Sequence, residues 1–333
     1  MRTLVAMSGG VDSSTVAALL SAQGREVVGV TLRMREGGAD DSAISDAAEV
    51  ARSLGIEHRV VDVRRRFATC VVDRYTDDFE RGVTPNPCTV CNPQVKFDAL
   101  LGTAEELGCD LIATGHYARI VSDGQGRSRL MRPLDPRKDQ SYFLYRVTPD
   151  VLARVEFPLG ESTKDEVRAR AAAFGLAVAD KPESQDLCFA AQVPTRPSLP
   201  GEIVDAQGRV LGSHSGIEAF TVGQRKGIGI AAAHPLYVLA IDAPRNRAVV
   251  GAWDDLARST VMARDVVWHG TPSAVDQEVL VQLRSNMEPL AGGVSGDSDT
   301  LTGVLDRPAH GIAPGQSVVC YQNDTVLCGG IIT

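Results

Sequence analysis

The chain has 333 residues, 44% of them hydrophobic and 23% charged, with a formal net charge of −8. That length accommodates two or three domains with substantial cores, and the composition is that of a water-soluble globular protein, not a fibrous or low-complexity one. No apolar stretch is long enough to cross a bilayer, and the first is too short and lacks the basic flank of a secretory leader, so a cytoplasmic location with no membrane partner is expected.

The first predicted element is a buried strand, Leu4-Val5-Ala6-Met7, broken at Ser8-Gly9-Gly10 and followed by a helical pattern from Asp12 through Leu20. A strand, a glycine turn and a helix start form a geometry that holds phosphate. The glycines admit close backbone approach, and the first-turn N–H groups point at the anion with the helix dipole behind them. Ser8, Ser13 and Ser14 add hydroxyl donors. No lysine follows the glycines, which separates this turn from the Walker loop. The plainer alternative is an ordinary strand–helix turn with Asp12 as its N-cap.

Further strands are predicted over 26–32, 58–63 and 111–113, alternating with helices over 43–54, 65–81 and 94–107. Gly55 and Gly108 end the first and last of these helices. Such βαβ alternation predicts an α/β fold, a Rossmann-like doubly wound parallel sheet with its ligand at the carboxyl ends of the strands. Met34, just past the second strand, sits where such folds meet an adenine, or simply packs in the core. Gly115, after the strand at 111–113, stands where a side chain would collide with a nucleotide.

From Arg119 to Arg146, basic residues outnumber acidic ones, and Tyr117, Tyr142, Phe143 and Tyr145 lie among them. This mixture suits an RNA backbone with splayed bases, or a merely solvated face. Thr163 and Glu166 have capping-box spacing for a helix ended by Gly175. A polar loop over 181–189 carries Cys188, and Pro194, Pro197 and Pro200 mark a boundary. Short strands over 202–204, 237–241 and 248–250 then predict a small β domain. Those over 279–283 and 317–321 predict a closing C-terminal β-barrel. The expected limits are 1–195, 200–255 and 256–333.

Seven cysteines, an odd number, argue against a disulfide framework. Cys70, Cys109, Cys320 and Cys328 fall in apolar runs and read as core. Cys88 and Cys91 have C-x-x-C spacing, which suits a redox pair, a disulfide or metal ligands alike. With Asn92 as a cap and Pro93 near the first position, Cys91 is expected at a helix amino terminus, where a thiol pKa falls.

The string SGGVDSS resembles the pyrophosphate loop of ATP pyrophosphatases, which split ATP between the α- and β-phosphates and adenylate a substrate oxygen. Taken with TPNPCTVCN and the KF after it, ATGHYAR, KDQSYFLY, SQDLCF, FTVGQRKGIGI and PGQSVVCY, nearly the whole chain resembles the bacterial tRNA 2-thiouridylases. The resemblance implies ATP-dependent replacement of the wobble-uridine C2 oxygen by sulfur, with ATP and Mg2+ as cofactors. ATP contacts are then expected at Ala6, Met7, Ser8, Gly9, Gly10, Val11, Asp12, Ser13, Met34 and Gly115. Cys91 becomes the nucleophile and Cys188 the persulfide carrier. Asn86, Pro87 and Cys88 match the loop that meets the target base, while Lys138, Asp139, Gln140, Arg284 and Ser285 match tRNA contacts.

The implied partners are tRNAs for Lys, Glu and Gln and a persulfide donor, such as a cysteine desulfurase or a sulfur carrier protein. Three departures stand out: many relatives have Asp at the position of Cys88, an aromatic is replaced by Ser285, and the connection from Cys188 to Gly201 is short. The extra loop cysteine allows a second route, a [4Fe-4S] cluster held by Cys88, Cys91 and Cys188. Two rival functions are a synthetase of the same loop class acting on a small metabolite, and a nucleotide-gated RNA-binding protein without chemistry.

Overall fold

The computed structural model describes residues 1–182, 188–189, 198–272 and 277–333. Most of the expected Cys188 loop (183–187), and Pro194 and Pro197, lie outside the described residues. The chain divides into two compact units. One comprises Met1–Val71, Cys88–Ala190 and Asp324–Val326, the other Val72–Pro87, Ala191–Asn323 and Leu327–Thr333.

In the first unit, β1 (Arg2–Ala6), β2 (Glu26–Arg33), β3 (Glu57–Asp62) and β4 (Leu111–Thr114) are followed by a hairpin, β5 (Arg119–Ser122) and β6 (Ser128–Met131), and by β7 (Val155–Glu156). The main sheet runs β3-β2-β1-β4-β7, parallel at every pairing. The apolar run of β1 is buried because helices cover both faces of such a sheet: Leu4 and Val5 are fully enclosed. Helix α1 (Val11–Ala22) packs Val16, Ala17, Ala18 and Leu20 inward, and α2 (Gly38–Leu54) ends on Gly55 in the left-handed region at φ 67°. The chain adds strands to one side of β1, then returns to the other with β4. That reversal opens a crevice at the carboxyl ends of β1 and β4.

Two expectations fail here. The helix predicted from residue 94 begins six residues earlier: Cys88–Cys91 is α-helical, Asn92–Phe97 is π-helical, and Asp98–Glu106 continues as α-helix. Proline has no N–H to give, and the wider i→i+5 register lets Pro93 sit inside the helix instead of starting it. The basic segment is also not a bare cationic face with stacking rings. Arg127 and Arg129 pair with Asp123, Arg132 with Asp139 and Arg137 with Asp135. Tyr117, Tyr142 and Tyr145 are buried. Three aspartates pair with these four arginines, and burial of aromatic area takes the tyrosine rings into the core.

The second unit holds two β assemblies. β8 (Gly201–Asp205), β9 (Val210–His214), β10 (Tyr237–Asp242) and β11 (Arg247–Gly251) form a small sheet ordered β10-β11-β8-β9 over a core of Ile203, Phe220, Val238 and Val250. β12 (Ala257–Trp268), β13 (Gln277–Gln282), β14 (Leu290–Gly296), β15 (Thr300–His310), β16 (Ser317–Gln322) and β17 (Thr325–Ile332) follow in the order β12-β15-β14-β13-β16-β17. β17 pairs back onto β12, so the barrel closes and leaves no open edge within the ring. Its interior includes Cys320 and Cys328, as their apolar runs predicted. All seven cysteines are free thiols. Among the described residues, no helix is long and apolar enough to cross a membrane.

Candidate active site

The loop after β1 is built from its own backbone and serines. Met7 N donates to Val30 O at 2.8 Å, and Thr31 Oγ1 donates to Met7 O at 2.8 Å, which fixes the strand end. Gly9 has φ +68°, and a Cβ there would run into the Ala43 carbonyl. Ser13 Oγ accepts from Ser8 N at 3.0 Å and lies 3.2 Å from Ser8 Oγ. Gly10 is the N-cap of α1, with extended backbone and no side-chain capping bond. Asp12 is thus the second helical residue and not a cap. Its Oδ1 accepts from Tyr117 Oη at 2.9 Å and from Lys164 Nζ at 2.6 Å.

Beside this loop lies a cavity of 370 Å³, a size suited to a nucleotide. Ser8, Asp12, Ser13, Met34 and Gly115 line it, and so does Cys188. Val30, Leu32, Phe97 and Leu100 supply apolar wall for a base. Asp40, missed in the sequence, shapes the turn at Met34. Its buried Oδ2 accepts from Met34 N at 2.9 Å and Arg35 N at 2.8 Å, and its Oδ1 accepts from Arg35 Nε at 2.9 Å. The signal was present only as an acidic residue in the first turn of a helix, which is common. Gln140 is better read as part of this wall than as an outward contact. Its Oε1 accepts from Tyr117 N at 2.8 Å, and its own N–H reaches Tyr117 O at 3.0 Å.

His116 and Lys96 also line the cavity. The His116 ring stacks on Phe97 with centroids 6.0 Å apart, and Thr114 Oγ1 lies 2.8 Å from Nδ1. Burial, and secondarily the Lys96 ammonium, drive its pKa down to about 3. Cys91 reverses the expectation for a helix-start thiol. It is buried, and burial pushes its thiol up to about 11, with Lys96 opposing the shift and the charges of Cys188 and Cys88 adding to it. Desolvation of a thiolate outweighs the nearby helix terminus. Those mutual effects put Cys88, Cys91, Cys188 and Lys96 in one electrostatic neighbourhood.

Family models match the chain in three consecutive pieces. They are the tRNA methyl transferase HUP domain over residues 1–192, the tRNA methyl transferase PRC-barrel domain over 193–252, and the aminomethyltransferase beta-barrel domain over 258–332. A tRNA-specific 2-thiouridylase MnmA of Rhodospirillum centenum is 46% identical over 99% of this chain and 91% of its own length. The chain belongs to the tRNA-specific 2-thiouridylase family. The 2-thiouridylase of a Methylobacterium species is 44% identical, with 99% and 94% of the two chains covered. Among solved structures, a U34-tRNA thiolase NcsA from Methanococcus maripaludis with its [4Fe-4S] cluster is 19% identical. The match covers 57% of this chain and 61% of that one at a TM-score of 0.40, and the cluster is that protein's.

Among the described residues no three or more His, Cys, Asp or Glu side chains stand in a metal-holding arrangement. Cys88 is exposed while Cys91 is buried and held as a thiol. Of the residues matched to tRNA contacts, Asp139 is engaged internally. It accepts from Ser141 N at 2.9 Å, Ser141 Oγ at 2.6 Å and Arg132 Nη1 at 2.8 Å. Lys138 ends the short helical turn Pro136–Lys138 and is half-buried. Asn86 is half-buried and Pro87 buried. In the second unit, Arg284 Nη2 donates to Val222 O at 3.0 Å and Gly311 O at 2.6 Å, and the Ser285 carbonyl accepts from Gln282 Nε2 at 3.0 Å.

Proposed function

We propose that this chain carries out ATP-dependent 2-thiolation of the wobble uridine of tRNA by a thiol-only route. The observation that carries the reading is that Cys188 lines the same cavity as the phosphate-holding loop and Gly115. A synthetase for a small metabolite needs no thiol in its nucleotide cavity, and a binding module needs none either.

The chemistry follows from the substrate. Oxide is a poor leaving group from a uracil C2, so the oxygen must first be esterified. The first-turn N–H groups of α1 and the serine hydroxyls receive the polyphosphate, whose charge Mg2+ shares. The uridine O2 attacks the α-phosphorus, the bond to the β-phosphate oxygen breaks, and pyrophosphate departs. The terminal sulfur of a Cys188 persulfide then attacks C2, and the C2–O bond breaks with its electron pair leaving on AMP. Cys91 sulfur attacks Cys188 Sγ, so a Cys91–Cys188 disulfide forms and the terminal sulfur stays on C2. A thiol reductant restores the two thiols.

We assign catalysis to residues 1–195, with the tRNA reached further by the small β domain over 200–255 and the barrel over 256–333. Asn86, Pro87 and Cys88 would meet the target base, and Lys138, Asp139, Gln140, Arg284 and Ser285 would contact or support the tRNA. The substrates are the tRNAs for Lys, Glu and Gln in the cytoplasm, and the sulfur comes as persulfide from a cysteine desulfurase or carrier protein. The decisive experiment measures pyrophosphate release with and without tRNA. Release that depends on tRNA and ATP is expected; release driven by a small metabolite, or none at all, would reject the reading.

A further inference from the structure

We propose that Phe189 is a positioning residue: seated against Phe67, it fixes the main chain one residue from the Cys188 sulfur and so sets how readily that sulfur meets Cys91. The inference rests on the thiol-only reading under the proposed function, in which the Cys91 sulfur attacks Cys188 Sγ. A carrier cysteine has two opposed needs. Its sulfur must be open to a donor, yet a sulfur on freely moving chain spends little time beside a fixed partner.

Two adjacent residues divide these tasks. Cys188 is exposed and lines the nucleotide cavity, whereas Phe189 is only 2% exposed. The Phe189 ring stands edge-on to Phe67, with centroids 5.6 Å apart and planes at 80°, an arrangement that aromatic quadrupoles favour. The seat itself is held by main chain. Phe67 is buried and closes the short helix Arg64–Phe67. Its N–H donates to Val63 O at 2.8 Å, and Val63 N donates in turn to Arg33 O at 3.0 Å. Arg33 is the last residue of β2, and the residue after it, Met34, lines the cavity. Two hydrogen bonds therefore tie the ring that receives Phe189 to a strand end that shapes the nucleotide site. Consecutive Cα atoms are about 3.8 Å apart, so an anchor at Phe189 confines Cys188 to little more than its own side-chain rotation. Cys91 is buried in its helix and cannot travel out to solvent. Their encounter depends on where Cys188 is held.

The test equilibrates the full chain with reduced and oxidised glutathione, and mass spectrometry of the linked peptides gives the fraction with a Cys91–Cys188 disulfide. The two thiols give up two electrons and two protons, and oxidised glutathione takes them to become two glutathione thiols. The equilibrium ratio is thus the effective concentration of one sulfur at the other. Phe189→Ala should lower it at least about tenfold, while iodoacetamide alkylation of the exposed Cys188 stays within about threefold. Phe67→Ala should lower it similarly, and the double variant should lie within about threefold of either single one, as two halves of one contact do. A purely structural ring would lower the melting temperature and leave the effective concentration alone. An unchanged value in Phe189→Ala, or losses that multiply in the double variant, overturns the proposal. Should Phe189→Ala fail to fold, one glycine inserted between Cys188 and Phe189 decides. It leaves the ring in its seat but lengthens the tether by about 3.5 Å, so the effective concentration must fall at least about tenfold. An unchanged value there overturns the proposal. A wild-type chain that forms no such disulfide rejects the thiol pair itself, whereas a wild-type disulfide with no loss in the variants rejects only the role of Phe189.

Discussion

Gly115 lies so close to Ser13 that a Cβ on the glycine would stand 2.9 Å from the Ser13 nitrogen and 3.1 Å from the Asp12 carbonyl carbon. The obstructing atoms are main chain in the first turn of α1, so they cannot swing aside as a side chain would. Gly115→Ala is therefore expected to displace the phosphate loop, at a cost of about 1–3 kcal/mol in stability, and to weaken ATP binding. Thermal melting and ATP titration on the same sample check this. Unchanged melting and affinity would mean that the turn yields without cost.

Cys91→Ser and Cys188→Ser should each abolish thiolation, while tRNA affinity stays within a few-fold of wild type. The basis is the shared neighbourhood of the two thiols and the place of Cys188 in the cavity wall. Retardation of the tRNA product on an organomercury gel reports the thiocarbonyl directly. Full thiolation by either variant, with a persulfide donor, would remove that cysteine from the sequence of steps.

The pH behaviour of Cys91 has a definite sign. Because burial holds its thiol near 11, the thiolate is scarce at neutral pH and rises about tenfold per pH unit below that value. Alkylation of Cys91 by iodoacetamide, followed by mass spectrometry, should climb with unit slope from pH 7 to 10. A plateau reached below pH 9 would contradict it. Stability moves the other way: the unfolded thiol ionises near 9 and the folded one near 11, so this group's contribution is complete below about pH 9 and lost as pH rises through the interval.

Lys138→Ala should weaken tRNA binding and make its salt dependence shallower, with the log–log slope changing by about one if the ammonium meets a phosphate. Filter binding over a salt series provides the slope. A variant with weaker binding and an unaltered slope would assign Lys138 to the support of its own turn.

Local patterning was enough to read the parallel sheet, the glycine-ended helices and the closing barrel, because each depends on apolar spacing and turn residues within a few positions. It also singled out Ser8, Ser13, Gly115 and Cys188, which line one cavity. It failed wherever a distant partner decided the outcome. Pro93 carries a helix-start signal, yet the π-helical turn absorbs it and the helix begins at Cys88. A helix-start thiol should be acidic, but Cys91 is enclosed by packing that no neighbour in sequence announces. Lys164 and Asp12 meet across 152 positions, a contact invisible to any window. The arginines of the basic segment counted as free charge only because composition does not show that aspartates lie within reach of their guanidinium groups.

The two carbonyls held by Arg284 change what a mutation there would measure. Val222 belongs to the stretch between β9 and β10 of the small sheet and Gly311 to the turn after β15 of the barrel, and one guanidinium rivets them together. The two N–H bonds of the single Nη2 nitrogen reach one oxygen each, whereas alanine would release two main-chain acceptors and the loops that carry them. Poor tRNA binding in such a variant would thus report a slackened frame as readily as a lost handhold on RNA. The rivet makes Arg284 a mechanical part first, and the stiffness it confers is what a large, irregular substrate would press against.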